Sequence, residues 1–327
     1  MRALICGVSG QDGAYLAGLL LDKGYEVVGT SRDAQVSSFG NLTLLGIRDR
    51  VHLESMATTD FRSVLSVMRR TDPQEIYNLA GQSSVGLSFD QPVETLESIA
   101  LGTTNLLEAI RFLDKPIRFY NAGSSECFGD TQGQSANEQT PLHPRSPYAV
   151  AKSTALWLVA NYRAAYGLHA STGILFNHES PLRPERFVTK KIVASAARIA
   201  AGERSRLALG NLEIRRDWGW APEYVDAMWR MLQQPEASDF VVATGESHSL
   251  EEFVEAAFGY VGLDWREHTD ISEALRRPAD LAEGLGDASK ARDVLGWSAT
   301  RRMGDVVTAM MEAELAPHPG VNRSSAS

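Results

Sequence analysis

The sequence predicts an α/β fold: a doubly wound parallel sheet with helices on both faces, joined to a smaller α/β portion. Short apolar runs alternate with helical patterns through the first half of the chain, which is typical of a parallel sheet. The first apolar run, 3–6, ends in the glycine-rich turn 7–13 before a helix begins, as in Rossmann-type domains. With 327 residues, 43% of them apolar, the chain can bury a sizeable core as one large domain or two smaller ones.

The apolar runs define the elements in order. After the glycine-rich turn, Leu16 and Leu20 mark the inner side of the first helix. Further strands are predicted at 25–29, 51–53, 75–79, 117–120 and 171–176. The intervening helices are predicted at 61–68, at 93–113, where Leu96 to Ile110 form a core stripe, and from Tyr148 to about 166.

After residue 177 the texture changes to short strands and helices, including a helix at 187–201. We therefore predict a dinucleotide-binding domain at 1–176, completed by segments from about 213–245. The interleaved remainder, 177–315, is predicted to bind the substrate. The polar tail, 316–327, is predicted to be disordered.

The turn at 7–13 reads G-V-S-G-Q-D-G and predicts a dinucleotide site. Gly7, Gly10 and Gly13 permit a tight turn and close backbone approach. The helix N-terminus at Gln11 and Asp12 can receive a pyrophosphate.

The ends of two later strands also carry residues predicted to contact the dinucleotide. An acid at the end of the second strand would favour NAD, but Arg32 stands there and suits a 2′-phosphate. Asp33 follows Arg32, and NADP is predicted over NAD. Leu79, Ala80 and Gln82 belong to a small-residue turn after the 75–79 strand that can lie close to the cofactor.

Four residues predict the chemistry. Tyr148 and Lys152 are four apart, so on a helix they share one face. A lysine ammonium beside a phenol would lower the pKa of the tyrosine and let it take a proton from a sugar hydroxyl. Ser124 and Glu126 follow the 117–120 strand, at the sheet edge where ligands bind.

Composition excludes several classes of function. The net charge of −9 argues against a nucleic-acid partner and against a polybasic membrane contact. The longest leucine-rich run, 16–21, is too short to span a bilayer. Two cysteines without metal-like spacing predict a reduced, cytoplasmic compartment and no metal site. In this acidic chain, basic pairs at 190–191, 215–216 and 276–277 predict an anionic ligand such as a sugar-nucleotide diphosphate.

Longer motifs are more specific. They read G-V-S-G-Q-D-G (7–13), I-Y-N-L-A-G-Q-S (76–83), S-S-E (124–126), P-R-S-P-Y-A-V-A-K (144–152), G-I-L-F-N-H-E-S-P (173–181), F-V-T-K-K-I (187–192), L-G-N-L (209–212), R-D-W-G (216–219) and A-T-G-E (243–246). From Gly7 to about Trp297 the chain resembles the GDP-mannose 4,6-dehydratases, an extended short-chain dehydrogenase/reductase family.

The resemblance implies roles residue by residue. Ser124 falls on the family's catalytic threonine, and Glu126, Tyr148 and Lys152 match its glutamate, tyrosine and lysine. The residues expected to bind the GDP-sugar are Ser84, Ser125, Asn177, Lys191, Arg216, Arg277 and Asp280. The implied reaction oxidises C4 of GDP-mannose, eliminates water across C5 and C6, and returns hydride to C6. A homodimer paired through the 93–113 helix and the Tyr148 helix is also implied.

The sequence departs from the family in places. Ala57 replaces an aspartate expected near the adenine, and Trp220 replaces a histidine that often follows R-D-W-G. The loop at 33–45 is short and poor in basic residues, which leaves tetramer formation open. The segment at 265–275 is shortened as well.

Three alternatives remain open from the sequence. A sibling dehydratase could use a bulkier GDP-manno-heptose, since Ser124, Trp220 and the shortened segment stand where sugar shape could be read. A nucleotide-sugar epimerase or reductase could share the fold. A non-catalytic NADP-binding regulatory protein is the third, and the intact set of Ser124, Glu126, Tyr148 and Lys152 argues against it.

Overall fold

A computed structural model of the chain describes residues 1–275 and 280–316. Its centre is a seven-stranded sheet in which every neighbouring pair is parallel. Numbered in chain order, the strands lie in the spatial order β11 (Phe240–Val242), β6 (Ala170–Leu175), β5 (Arg118–Ala122), β4 (Glu75–Asn78), β1 (Arg2–Cys6), β2 (Glu26–Ser31) and β3 (His52–Ser55). The strand order reverses beside β1, which places a ligand crevice at the carboxyl ends of β1 and β4. The predicted doubly wound sheet is confirmed.

Helices cover both faces of this sheet. On β1, Ala3 and Ile5 join the core beneath α1 (Gln11–Asp22) and α9 (Ala221–Gln233). Leu4 and Cys6 point to the other face, beneath α3 (Phe61–Thr71), α6 (Gly102–Leu113) and α7 (Pro147–Tyr166). Because successive strand residues face opposite sides, a strand buried on both faces reads as a continuous apolar run.

The helix predicted at 93–113 is one continuous helical run with an internal irregularity. It consists of α5 (Pro92–Leu96), a π-helical turn (Glu97–Leu101) and α6. Ile99, Leu106 and Ile110 are buried as predicted, but Leu96 is 40% exposed. Its assignment to the core stripe is therefore wrong.

The rest of the chain forms the smaller α/β portion. Its core is made by α8 (Val188–Ala200), α10 (Leu250–Tyr260) and α12 (Met303–Leu315). Three two-stranded sheets flank these helices, pairing β7 (Asn177–Glu179) with β10 (Trp218–Trp220), β8 (Leu207–Leu209) with β13 (Thr269–Ile271), and β9 (Arg215–Arg216) with β12 (His248–Ser249). The remaining helices are α2 (Gly40–Leu44), α4 (Val85–Asp90) and α11 (Trp265–His268).

Two predictions fall outside the described residues. Arg277 lies in the segment 276–279, and the predicted tail lies beyond Ala316. Over the described ranges, no helix combines the length and apolar character that a membrane crossing requires.

Candidate active site

The glycine-rich turn needs glycine for two measurable reasons. Gly7 has φ of +86°, and a Cβ there would lie 3.0 Å from the carbonyl oxygen of Leu79 and 3.1 Å from Ala80. A Cβ on Gly13 would lie 2.4 Å from the carbonyl oxygen of Gly7. The turn is thus packed directly against the end of β4, where Leu79 and Ala80 were predicted to lie close to the cofactor.

The first turn of α1 fits an anion. The first backbone hydrogen bond into the helix is from Ala14 N to Gly10 O, so the N–H groups of residues 11–13 have no acceptor within the helix. Such groups at a helix N-terminus, with room created by glycine, suit the pyrophosphate of a dinucleotide.

The side chains of Gln11 and Asp12 face a different part of the protein. Gln11 donates to the carbonyl oxygen of His178 at 3.2 Å and accepts from the Ser180 hydroxyl at 2.8 Å. Asp12 Oδ2 lies 2.9 Å from His178 Nε2. The side chains of these two predicted cofactor residues are therefore used within the protein. Only their backbone N–H groups are left to bind an anion at the N-terminus of α1.

The end of β2 carries a solvent-facing arginine. The Arg32 side chain is exposed, and its contact with Glu94 is long, at 3.8 Å. Asp33 Oδ1 accepts a hydrogen bond from the backbone N of Gln35 at 2.9 Å, so that carboxylate is engaged in its own turn.

The loop between β4 and α4 is shaped by its own side chains. The Gln82 amide donates to the carbonyl oxygen of Ser84 at 2.8 Å and to the Thr95 hydroxyl at 3.2 Å. The Ser84 hydroxyl accepts from Leu87 N at the start of α4. Both predicted ligand-contacting residues thus also hold the loop in its conformation.

The four predicted catalytic residues lie where β5 and α7 meet. Ser124 caps a short 3₁₀ turn (Ser125–Phe128), accepts from Glu126 N at 3.3 Å and lies close enough to the phenol of Tyr148 to lower its pKa. Lys152 lies one turn after Tyr148, and its Nζ donates to the carbonyl oxygen of Ala122 at 2.7 Å. The strand end and the helix therefore bring together residues that are up to 28 positions apart.

The expected effect of Lys152 on Tyr148 is not what the structure shows. Desolvation raises the pKa of Tyr148 above its ordinary value, and the nearby Ser124 hydroxyl opposes this only in part. Lys152 Nζ is 5.8 Å from the centre of the phenol ring, and desolvation lowers its own pKa to about 8. Lys152 is not among the groups that shift the pKa of Tyr148 in this arrangement; the side chain that lowers it most is Ser124.

A narrow cleft beside these residues, with a cavity volume of about 10 Å³, lies between the two portions of the chain. Ser125 and Glu126 line it from the β5 side, and Phe176, at the end of β6, forms part of its wall. Arg216 lines it from the smaller portion. The guanidinium is buried and donates to the carbonyl oxygens of Arg215 and Leu281, at 2.8 and 2.9 Å. A carboxylate and a guanidinium thus share one cleft.

Comparison with known proteins identifies the chain. A family model described as GDP-mannose 4,6 dehydratase matches residues 4–310. The chain belongs to this family. GDP-mannose 4,6 dehydratase 1 of Arabidopsis thaliana is 46% identical over 325 residues, covering 96% of this chain and 89% of that protein. The GDP-mannose 4,6-dehydratase of Sinorhizobium fredii is 47% identical and covers 96% of both chains. The Homo sapiens protein of that name is 40% identical, covering 96% and 91%.

Solved structures agree on the fold. A dTDP-glucose 4,6-dehydratase from Bacillus anthracis, solved with NAD, superposes with a TM-score of 0.84 at 17% identity, covering 96% of each chain. A Thermus thermophilus UDP-glucose 4-epimerase, also with NAD, gives 0.82 at 24% identity, covering 95% of this chain and 99% of that one. The family predicted from the motifs is confirmed.

Not all of the predicted basic pairs reach the cleft. Lys190 forms an ion pair with Glu314 and donates to the carbonyl oxygen of Pro181. Arg215 contacts Glu252 and Glu283, at 3.5 and 3.6 Å. These contacts connect segments within the protein.

Of the other residues that the family resemblance pointed to, some lie beside the cleft and others are engaged elsewhere. Lys191 donates to the carbonyl oxygen of Ala208 at 2.7 Å. Asn177 directly follows Phe176 of the cleft wall and opens β7. Asp280 is adjacent to Leu281, which also lines the cleft. Trp220 instead lies in a separate cleft with Glu223 and Trp297, so it does not share the surface of Glu126.

Sequence reasoning used N-H-E-S-P for Asn177 alone and missed the three residues that follow. His178 and Ser180 hold the glycine-rich turn through Asp12 and Gln11. Glu179, which is buried, accepts from the Thr189 hydroxyl at 2.8 Å in the first turn of α8. The available signal was a run of polar residues directly after a buried strand.

Proposed function

We propose that the protein is a GDP-mannose 4,6-dehydratase, converting GDP-mannose to GDP-4-keto-6-deoxymannose. The observation that carries the proposal is the position of Glu126. It lies in the cleft that Arg216 lines, two residues after Ser124, which is close enough to Tyr148 to lower its pKa. Simple oxidation of an alcohol needs a tyrosine, a lysine and a hydroxyl, whereas elimination of water needs a further acid–base group.

Each residue then has a defined task. A bound nicotinamide dinucleotide supplies hydride removal at C4 and hydride return at C6. Tyr148, in its ionised tyrosinate form, takes the proton of the C4 hydroxyl. Glu126 takes the proton from C5 and, once protonated, gives it to the departing C6 hydroxyl, so the sugar loses one water. Arg216 suits the diphosphate of the substrate.

The dinucleotide is proposed to be NADP. The supporting feature is Arg32, an exposed guanidinium at the end of β2 beside an Asp33 whose Oδ1 is engaged by Gln35. Arg32→Gln is expected to weaken NADP binding about tenfold or more while changing NAD binding little. Arg69→Gln, on the exposed surface of α3, is the matched control. Equal affinities of wild type and Arg32→Gln for NADP would contradict this assignment.

The two parts of the chain, each with its own core, are proposed to bind different ligands. We propose that 1–176 with 213–245 bind the dinucleotide, and that 177–315 bind the GDP-sugar together with Ser84, Ser125 and the catalytic residues. Asn177, Lys191, Arg216 and Asp280 are the proposed contacts from this second part. Arg277, outside the described residues, is proposed on the family resemblance alone.

A homodimer is also proposed. Exposed apolar side chains lie on the two adjacent helical runs that the family resemblance implied: Val93 is 66% exposed, Leu96 40% and Trp157 62%. Single exposed apolar residues are ordinary, but several on one pair of packed helices favour a partner surface. The proposed compartment is the cytoplasm, and both cysteines are free and buried.

The test is product mass. Purified protein is incubated with GDP-mannose, and separately with a GDP-manno-heptose, without added cofactor and then with NADP. We expect GDP-mannose to lose one water, and Glu126→Gln to abolish that loss. Glu54→Gln, on the edge strand β3, is the matched control and should remain active. Loss of water from the heptose alone would assign the sibling activity, and loss from neither would overturn the proposal.

A further inference from the structure

The ion pair between Asp12 and His178 joins two segments that are 166 residues apart in the sequence. His178 is 8% exposed, and its ring stacks on that of Tyr224 with centroids 4.6 Å apart. Its Nδ1 lies 2.7 Å from the carbonyl oxygen of Phe176, and its Nε2 lies 2.9 Å from Asp12 Oδ2. The imidazole is therefore held at both nitrogens within the protein.

This geometry fixes the protonation of the pair. A carbonyl oxygen and a carboxylate oxygen are both acceptors, so each must face an N–H of the ring. A neutral imidazole has only one N–H, and hence His178 must be an imidazolium when Asp12 is ionised. Desolvation opposes both charges, but attraction and hydrogen bonding within the pair raise the pKa of His178 and lower that of Asp12 to about 2.

Other titratable groups face this pair from every side. They belong to different elements and include one guanidinium, one ammonium and two phenols: Arg183 after β7, Lys152 on α7, Tyr224 on α9 and Tyr120 on β5. The pKa values of both phenols are raised well above the ordinary value by desolvation, so these groups remain neutral in the physiological range. Lys152 is the other group here whose charge changes near neutral pH, with a pKa of about 8.

The location of Asp12 indicates what the additional proton on His178 does. Asp12 is the second residue of α1, in the turn whose free N–H groups suit a pyrophosphate. A carboxylate in the first helical turn interacts favourably with the helix dipole, but it repels a phosphate brought to the same N–H groups. An aspartate is therefore unfavourable at a phosphate site unless its charge is compensated.

We propose that His178 is a positioning residue: its imidazolium neutralises Asp12, so that the first turn of α1 can accept the pyrophosphate of a dinucleotide. The proposal rests on the dinucleotide cofactor of the proposed function, but not on the sugar that the enzyme uses. The hydrogen bonds of Gln11 to His178 and Ser180 hold the same two segments together.

A double-mutant comparison distinguishes two roles for His178: neutralising the charge of Asp12, or only holding the two segments together. Dinucleotide affinity is measured by fluorescence titration after removal of copurified cofactor, for wild type, His178→Gln, Asp12→Asn and the double variant. Glutamine at 178 retains an amide donor but no charge, so we expect His178→Gln to bind about tenfold more weakly or worse. In the double variant the uncompensated carboxylate is gone, and affinity should return to within about threefold of wild type.

Two controls make the same chemical changes at the opposite edge of the sheet. His169→Gln removes an imidazole that lies 2.9 Å from the carbonyl oxygen of Gln234. Asp239→Asn breaks an ion pair with Arg163. Both residues directly precede strands of the main sheet, at the amino ends of β6 and β11, so dinucleotide affinity should be unchanged.

The pH dependence supplies a second readout. As pH rises through the raised pKa of His178, the proton is lost and Asp12 remains as an anion, so wild-type affinity should fall. In Asp12→Asn the part of this fall that is due to His178 should be absent. Lys152 titrates in both proteins, but at a lower pH in the variant, because Asp12 no longer raises its pKa. If His178→Gln does not fold, this comparison alone decides the proposal.

Specific outcomes would overturn it. One is His178→Gln binding dinucleotide as tightly as wild type; another is the double variant binding no better than the single one. A third is Asp12→Asn showing the same decline with pH as wild type. Failure of the proposed function itself would look different, because wild type would then bind no dinucleotide or would bind it without dehydrating GDP-mannose.

Discussion

At Tyr148 the local environment decides how the phenol is used. Desolvation holds its pKa above the ordinary value, and the nearby Ser124 hydroxyl lowers it in part. To take the proton of the C4 hydroxyl the phenol must first lose its own proton, so the reaction needs the tyrosinate form of Tyr148. Desolvation disfavours this form, and Ser124 favours it.

Replacing Tyr148 tests this directly. Tyr148→Phe removes the proton acceptor and should lower kcat by about 10²–10⁴-fold, the usual contribution of a general acid–base group. Tyr162→Phe, on the same helix, removes a hydroxyl that donates to Glu108 at 2.7 Å and should leave kcat unchanged. Initial rates and a thermal melt of each variant make the comparison. An active Tyr148→Phe variant would remove Tyr148 from the mechanism.

The sequence identified residues whose relationship is local. Tyr148 and Lys152 share a helical face because they are four apart, and Ser124 and Glu126 follow a strand end. The partners of Asp12 and Arg216 could not be predicted, since they are set by contacts with His178 and Leu281, distant in the chain. The same holds for the pKa of Tyr148, because desolvation depends on the whole surrounding structure.

Among the elements, the strand–turn–helix unit at the N-terminus places the most severe demands on the sequence. Gly13 lies in the first turn of α1, directly against the carbonyl oxygen of Gly7. Gly18 lies in the same helix, yet a Cβ there would meet only the Ile47 side chain, at 3.8 Å. One glycine is required by close approach and the other is not.

Two alanine substitutions in this helix should therefore have opposite effects. Gly13→Ala forces the turn open and is expected to destabilise the protein by about 1–3 kcal/mol and to abolish dinucleotide binding. Gly18→Ala should stabilise it by about 0.5–1 kcal/mol, since alanine restricts the unfolded chain and favours the helix. Denaturant unfolding gives both free energies. A Gly13→Ala variant as stable as Gly18→Ala would contradict the packing of this turn.

Element types were predictable from apolar periodicity, but irregularities within them were not. The run at 93–113 reads as one regular helix, and the π-helical turn at Glu97–Leu101 shifts its phase. This shift is why Leu96 does not continue the buried stripe of Ile99 and Ile110. No single residue in that turn is a sequence signal for a π-helical turn.

On the scale of the whole molecule, exposed apolar side chains lie together on two adjacent helical runs in the described part of the chain. The α5–α6 run packs against α7, and the outward sides of both carry Val93, Leu96 and Trp157. Burying such side chains in a second copy is the simplest way to remove them from water.

Trp157→Glu should therefore disrupt the dimer. A charge at the centre of an apolar interface is costly to bury, so we expect the variant to sediment as a monomer while wild type sediments as a dimer. Tyr260→Glu alters a side chain of similar size, 43% exposed on α10, and should sediment as wild type. A Trp157→Glu protein that remains dimeric would show that this surface is not the interface.

The most direct measurement follows one hydrogen through the reaction. GDP-mannose carrying deuterium at C4 is supplied to the purified protein, and the product is analysed by mass spectrometry and NMR. Our account predicts a product lighter by one water that keeps the deuterium, now at C6, because the hydride taken from C4 returns to the same sugar. A product that retains all its water, or one that has lost the deuterium to solvent or to added dinucleotide, would contradict the assignment as a 4,6-dehydratase.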